Sequence, residues 1–127
     1  MATESAALAY LAAGFSVVPI APQTKRPLVP WAEFQSRRAT AAEVSVWYRA
    51  RPDAGVAIGC GVVSGLAVVD FDPRNGDGAP LAALLPSTPT VETGGGGRHC
   101  YFHLSPGIRV EKVPALLPGV DLQAEGS

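Results

Sequence analysis

The stretch Leu-Ala-Val-Val-Asp-Phe-Asp at residues 66–72 is the strongest strand signal in the chain, because it is rich in β-branched and aromatic residues. Side chains alternate across a strand, so Asp70 and Asp72 are predicted to point to one face while Phe71 points into a core. Two carboxylates ~7 Å apart repel each other unless positive charge lies near them. Hard divalent cations such as Mg²⁺ or Mn²⁺ are natural partners of such oxygen atoms. The alternative is that both aspartates only end the strand before a turn at residues 73–76.

Four consecutive glycines at residues 94–97 come directly before Arg98 and His99, where another strand is predicted to begin. Glycine lets the backbone approach a ligand closely, and successive N–H groups of such a loop can form an anion-binding nest. The segment lacks the Gly-Lys-Ser/Thr ending of a P-loop, so a Walker-type nucleotide site is not predicted. A flexible hairpin loop is the alternative interpretation.

Zinc binding has to be weighed, since His99, Cys100 and His103 are close in sequence while Cys60 lies elsewhere. In a strand, His99 and His103 share a face and Cys100 points the opposite way, which is poor geometry for tetrahedral zinc. We therefore expect Cys100 and His103 to be ordinary strand residues.

Asp121 is an aspartate inside an apolar run near the end of the chain. A charged group in such a strand is costly unless it is paired or bound to a metal. Two interpretations stay open: Asp121 pairs with Lys112 or Arg109, or it completes a metal site begun by Asp70 and Asp72.

The rest of the chain reads as short elements joined by many turns, in line with its 12 prolines and 14 glycines. Thr40 and Glu43 form a capping-box pattern, and Gly14 fits the left-handed position after a helix. Lys25 lies in a proline-rich loop at residues 21–30. Helices are predicted at 5–13, 40–50 and 81–85, and strands at 15–20, 55–59, 66–72, 90–93, 98–104 and 120–124.

The composition bounds the class of protein. The 127 residues suffice for one domain with a real core and are too few for two ordinary ones. A net charge of −1 means that the chain as a whole is not attracted to nucleic acid, so such binding would depend on local basic groups.

Cys60 and Cys100 form no C-x-x-C pair, and free thiols are typical of the cytoplasm, the predicted location. The sequence shows no signal peptide and no apolar run of roughly 20 residues, so no membrane partner is expected.

In chain order these motifs resemble the N-terminal domain of bifunctional DNA primase/polymerases, within the archaeo-eukaryotic primase superfamily. Each motif is modest alone, but their order and spacing are specific and cover nearly the whole chain. The early matches are Ala-Leu-Ala-Tyr at 7–10, Gly-Phe-Ser-Val-Val-Pro at 14–19, Lys-Arg-Pro at 25–27, Trp31, residues 40–47 and Gly-Val-Ala-Ile-Gly at 55–59. The later matches are Val-Val-Asp-Phe-Asp at 68–72, Thr-Gly-Gly-Gly-Gly-Arg-His-Cys-Tyr-Phe at 93–102 and Gly-Val-Asp at 119–121.

The resemblance implies an α+β fold with mixed or antiparallel sheets and flanking helices, forming one primase–polymerase catalytic domain over residues 1–127. It implies template-directed nucleotidyl transfer with two divalent ions, Mg²⁺ or Mn²⁺, held by Asp70, Asp72 and Asp121. The implied partners are nucleoside triphosphates, a single-stranded DNA template and a primer, with a helicase domain or protein as a further partner. Domains of this kind often serve in the replication of plasmids, phages and integrated elements.

The resemblance also implies where the nucleotide binds. His99 would contact the phosphates of the incoming nucleotide, and Arg98 lies beside it with Gly96 and Gly97. Lys25 matches a basic residue in the Lys-x-Pro segment of the family and is a further candidate for phosphate contact.

The match departs from the family at residues 123–127, where members usually continue into another glycine- and valine-rich strand and a Pro-Pro-Ser segment. The domain is therefore expected to be incomplete at its C-terminal end, with an exposed sheet edge.

Two alternative functions would use the same residues. One is another metal-dependent phosphotransfer enzyme such as a nuclease. The other is a degenerate or truncated module that binds nucleotide or single-stranded DNA without catalysis.

Overall fold

A computed structural model describes residues 2–76, 78–93 and 96–127, which form two compact units. The first unit comprises the chain up to Gly59 together with Val63–Gly65, and the second comprises Cys60–Val62 and Leu66–Ser127. The single domain predicted over residues 1–127 stays a prediction. Within the described residues, no helix has both the length and the apolar character needed to cross a bilayer.

The first unit packs two helices on a two-stranded antiparallel sheet. Its elements are α1 (Ala2–Ala12), β1 (Ser16–Ile20), a 3₁₀ helix (Ala32–Gln35), α2 (Ala41–Ala50) and β2 (Gly55–Gly59), with β1 pairing β2. Gly14 has φ +102°, as predicted for the residue that turns the chain after α1. Val17, Val44 and Tyr48 are almost fully buried in its core, and each buried valine side chain stabilises the fold by about 1.5–3 kcal/mol.

Helix α2 begins at the predicted capping box. The Thr40 hydroxyl accepts a hydrogen bond from the backbone N–H of Glu43, and the Glu43 carboxylate accepts one from the backbone N–H of Thr40. Both bonds are present, so this prediction is confirmed. Val44 and Tyr48 face the core, and the Tyr48 hydroxyl donates to the carbonyl oxygen of Gly55 at 2.8 Å.

The second unit is a five-stranded antiparallel sheet with the strand order β4-β5-β3-β7-β6. Its elements are β3 (Leu66–Phe71), a short helix α3 (Ala79–Ala82), β4 (Thr90–Glu92), β5 (Arg98–His103), β6 (Val113–Leu117) and β7 (Val120–Gln123). Strand β3 is central, and five of its six residues are buried.

One face of this sheet is apolar and packs against the segment around α3. The buried residues on this face are Val69, Phe71, Cys100 and Val120, and the side chains packed on them include Leu81 and Leu85. The predicted α+β class with antiparallel sheets is confirmed. Two elements were not predicted, the 3₁₀ helix and β6.

Candidate active site

Asp70 lies on the central strand between two other predicted site residues. In the register of the sheet it is directly opposite His99 on β5 and directly opposite Asp121 on β7. Directly opposite residues of an antiparallel pair project to the same face, so the three side chains form a row across three strands. His99 Nε2 lies 3.3 Å from Asp70 Oδ1. The structure therefore brings together one aspartate of the Asp-x-Asp motif, the histidine after the glycine loop and the distant aspartate.

The carboxylate of Asp121 is held by the backbone of strand β6. Its Oδ1 accepts a hydrogen bond from the backbone N–H of Ala115 at 2.7 Å. Ala115 has φ +50° and lies where the pairing of β6 with β7 shifts register. The interpretation that Asp121 pairs with Lys112 or Arg109 is not the arrangement found, because Arg109 binds Glu111 and Lys112 lies near the carbonyl oxygen of Gly126.

Asp72 lies one residue beyond the end of β3, and its carboxylate is bound by the turn that follows. Oδ1 accepts from the backbone N–H and the Nε–H of Arg74, each at 3.0 Å. Oδ2 accepts from Arg74 Nη2 at 3.0 Å and from Asn75 Nδ2 at 3.2 Å. The hydrogen bonds to Asp72 raise the pKa of the Arg74 guanidinium above its ordinary value. Asp72 is thus an anion neutralised within its own turn.

A cleft of about 430 Å³ opens at the end of β3, and Asp72 is on its wall. Gly96, Gly97 and Arg98 also line this cleft, together with Phe71. The full lining is Phe71, Asp72, Pro73, Gly76, Gly78, Gly96, Gly97, Arg98 and Gly119. The two aspartates of the Asp-x-Asp motif therefore lie in different places. Asp70 is on one face of the sheet, and Asp72 lines the cleft.

Arg98 and His99 are neighbours in sequence but lie on opposite faces of β5. Arg98 is opposite Phe71, and its guanidinium carbon lies 5.5 Å from the centre of the Phe71 ring. His99 is opposite Asp70. The alternation of a strand separates them, so Arg98 reaches the cleft and His99 reaches the carboxylate row.

The glycine loop approaches the end of β3 more closely than any other residue type would allow. A Cβ atom on Gly97 would collide with the carbonyl oxygen of Phe71. The carbonyl oxygen of Gly97 accepts a hydrogen bond from the backbone N–H of Thr93 at 2.9 Å. Gly94 and Gly95 lie outside the described residues.

Neither cysteine belongs to the candidate site. Cys100 is buried on the apolar face of the sheet, opposite Val69, as expected for an ordinary strand residue. Cys60 is also buried, and burial raises the pKa of its thiol to about 11. The alternation of β5 places Cys100 on the other face from His99, which is the geometry that argued against zinc.

The donor chemistry of the three aspartates fits a hard divalent cation, because carboxylate oxygens are the ligands such ions prefer. Asp70 and Asp121 are adjacent like charges on one face, an arrangement that a nearby cation would relieve. Among the described residues, however, no three His, Cys, Asp or Glu side chains are already gathered for a metal ion. Each aspartate instead has a protein partner: His99 for Asp70, Arg74 for Asp72 and the Ala115 N–H for Asp121.

Two residues near the site were not selected from the sequence. Tyr101 is two residues after His99 on the same face of β5, and the two ring centroids are 6.4 Å apart in an edge-to-face arrangement. Its spacing of two from a candidate histidine could have indicated it. Arg74 follows Asp72 by two residues in a turn. An ion pair within a turn has no regular spacing in the sequence, so no pattern could have indicated it.

Lys25 lies in the first unit, in an exposed loop after β1. The hydroxyl of the preceding residue, Thr24, donates to the carbonyl oxygen of Ala21 and accepts from the N–H of Arg26. These bonds shape the loop, and the role of Lys25 at phosphate stays a prediction.

The profile of the family described as "Bifunctional DNA primase/polymerase, N-terminal" matches residues 7–127, which contain every candidate site residue. No curated protein matches the chain. Because the match spans nearly the whole sequence, the chain belongs to the family of bifunctional DNA primase/polymerase N-terminal domains.

Proposed function

We propose that this chain performs template-directed nucleotidyl transfer, as a DNA primase and polymerase in the replication of a plasmid, phage or integrated element. Membership of the family supports the reaction class, DNA primase/polymerase-type nucleotidyl transfer. The observation that carries the proposal is Asp70 on the central strand, flanked across the sheet by His99 and Asp121. Three chemistry-bearing side chains from three separate parts of the sequence meet on one face.

We further propose that Asp70, Asp72 and Asp121 hold two Mg²⁺ or Mn²⁺ ions. When bound, such ions lower the pKa of an attacking 3′-hydroxyl and offset the charge of the leaving pyrophosphate. The contribution of the chain is positioning. The Ala115 N–H fixes one oxygen of Asp121, and the register of β3 with β7 places that carboxylate beside Asp70.

In the reaction, the 3′-oxygen of the primer bonds to the α-phosphorus of the nucleotide while the bond to pyrophosphate breaks. His99 would donate a hydrogen bond to the triphosphate on the face that it shares with Asp70. Phosphate groups that extend into the cleft at the end of β3 would meet the Arg98 guanidinium and the glycine loop at Gly96 and Gly97. Lys25 would be a further phosphate contact.

The proposed partners are nucleoside triphosphates, a single-stranded DNA template, a primer and a helicase domain or protein. The proposed location is the cytoplasm, because buried free thiols suit a reducing compartment.

Extension of a labelled primer on a single-stranded template, with Mg²⁺ or Mn²⁺, tests the proposal. Asp70→Asn and Asp121→Asn each replace a carboxylate by an amide of the same shape, so we expect extension to fall by at least about a hundredfold. Asp53→Asn is the matched control, because Asp53 is an exposed aspartate that binds Arg51 in the first unit. Circular dichroism of all variants checks that the fold is kept.

The same assay separates the alternatives. Products longer than the primer that depend on Asp70 and Asp121 support the proposal. Products shorter than the primer would indicate a nuclease, and nucleotide or DNA binding without any new product would indicate a module without catalysis.

A further inference from the structure

Arg74 is a feature that the proposed reaction does not use. It lies two residues after Asp72 and binds both carboxylate oxygens, Oδ1 through Nε and Oδ2 through Nη2, each at 3.0 Å. This two-point contact matches the planar guanidinium to both carboxylate oxygens, which fixes the geometry of the pair. The Arg74 side chain is 74 % exposed, whereas the Asp72 side chain is 30 % exposed. Asp72 is thus its main anchor among the described contacts.

The three predicted metal ligands differ in what holds them. Asp121 accepts a neutral backbone N–H, which leaves its charge in place. Asp70 lies beside an imidazole. Asp72 is paired with a guanidinium, which stays charged at any physiological pH. Of the three, Asp72 is the one whose charge is already neutralised by a permanent cation.

A carboxylate cannot serve two cations with the same oxygen lone pairs. Oδ1 and Oδ2 of Asp72 both face Arg74, and Asn75 also donates to Oδ2. A divalent ion at Asp72 would also repel the guanidinium, because like charges a few ångströms apart are unfavourable. Metal binding at this aspartate therefore requires Arg74 to move away.

We propose that Arg74 is an internal competitor of the divalent cation for Asp72, and thereby sets how tightly the cation binds. This inference rests on the proposed function, because it takes Asp72 as a metal ligand. In the cation-free chain, the guanidinium neutralises Asp72. The cation displaces it, and the exposed Arg74 side chain is released to solvent.

The size of the effect follows from the exposure of the pair. Exposed ion pairs are weak, so their loss should change the dissociation constant for the cation by about two- to fivefold. Removing Arg74 should tighten metal binding by that factor. A residue that only stabilised the turn would not have this effect, because its loss would leave the affinity unchanged or lower it.

Mn²⁺ binding to the whole chain, measured by calorimetry without nucleotide or DNA, tests the inference. Arg74→Gln removes the charge, while the Asn75 contact and the Arg74 backbone N–H can still hold the turn. We expect its dissociation constant to fall about two- to fivefold. Arg51→Gln is the matched control, because Arg51 forms an exposed ion pair with Asp53, also two residues away, in the first unit. That control should bind Mn²⁺ like the wild type.

A double-mutant cycle shows whether the effect passes through Asp72. In an Asp72→Asn background, Arg74→Gln should leave the Mn²⁺ affinity unchanged, because the competition no longer exists. An unchanged or weaker affinity for Arg74→Gln alone would overturn the inference.

The failure of this inference can be told apart from the failure of the proposed function. If Asp70→Asn and Asp121→Asn weaken Mn²⁺ binding and Arg74→Gln does not tighten it, the metal site stands and the competition is refuted. If the wild type and both aspartate variants bind Mn²⁺ equally poorly, the metal assignment fails and this inference fails with it.

Discussion

Gly96 and Gly97 are adjacent in the glycine loop, yet their surroundings differ. Gly97 is buried, and a Cβ atom on it would meet the carbonyl oxygen of Phe71 and, at 2.9 Å, the hydroxyl of Thr93. Gly96 has φ +81° and open space where a Cβ would be. Gly97 is thus required by close packing, and Gly96 only by its backbone angle.

The two alanine substitutions should therefore differ in cost. Gly97→Ala forces the loop away from β3, and we expect it to lower the free energy of unfolding by about 2–3 kcal/mol, the upper part of the range for overpacking. Gly96→Ala should cost about 1 kcal/mol, the strain of a left-handed angle for a residue with a Cβ. Urea denaturation of both variants measures the difference. Equal costs would show that the loop does not pack on the Phe71 backbone as described.

At the scale of elements, helix α2 is fixed by charges at its N-terminus. The Glu43 carboxylate accepts hydrogen bonds from the Arg37 guanidinium and from the backbone N–H of Thr40. The Arg37 hydrogen bond, followed by the contact with Thr40, lowers the pKa of Glu43 from 4.5 to about 2. Folding thus favours the ionised form of this carboxylate.

This depressed pKa predicts a pH dependence of known sign. Because the folded pKa lies below the unfolded one, the stability that Glu43 contributes is present above pH 4.5 and is lost as the pH falls toward 2. The wild type should melt above Glu43→Gln at neutral pH, and the gap should close between these two pH values. Thermal unfolding of both proteins across that range measures it. A gap that stays constant with pH would contradict the ion pair.

The sequence predicted those elements that depend on neighbouring residues. Four residues of sequence were enough to predict the capping box at Thr40, and six were enough to predict strand β3. Strand β6 was missed because its sequence, Val-Pro-Ala-Leu-Leu, contains Pro114 and has no alternation of apolar and polar residues. It is held instead by its pairing with β7, a contact between segments.

The candidate site shows the same limit. The alternation of side chains along a strand predicted that Asp70 and Asp72 point to the same face. However, β3 ends at Phe71, and Asp72 binds Arg74 in the turn that follows. The row of Asp70 with His99 and Asp121 depends on the register of three strands. The residues alone left the joining of Asp121 with Asp70 as one of two interpretations, and only the family resemblance added His99, since register between distant segments has no signature in a single sequence.

At the scale of the whole molecule, the chain has a net charge of −1, and among the residues that the structure describes four arginines form ion pairs with carboxylates. These are Arg37, Arg51, Arg74 and Arg109. The other six lysines and arginines include Arg98 in the cleft, and binding to a nucleic-acid backbone would depend on local basic groups of this kind.

The edge of the five-stranded sheet formed by β6 is a candidate surface for self-association. Among the described strands, β6 forms one edge of that sheet, and all five of its residues are exposed. Leu116 and Leu117 are apolar side chains on it, 44 % and 45 % exposed. Unpaired backbone groups beside exposed apolar side chains are a template for pairing with a second chain, and Pro114 protects only one position of this edge.

A lysine on this edge should therefore reduce association without changing the fold. We expect Leu116→Lys to raise the protein concentration at which light scattering begins, while its free energy of unfolding stays within about 0.5 kcal/mol of the wild type. Leu84→Lys is the matched control, because Leu84 is 80 % exposed and follows α3 rather than lying on a strand. It adds the same charge without touching the edge. If both variants raise the scattering threshold equally, net charge rather than β6 governs the solubility of the chain. If only Leu116→Lys raises it, copies of the chain associate through the edge formed by β6.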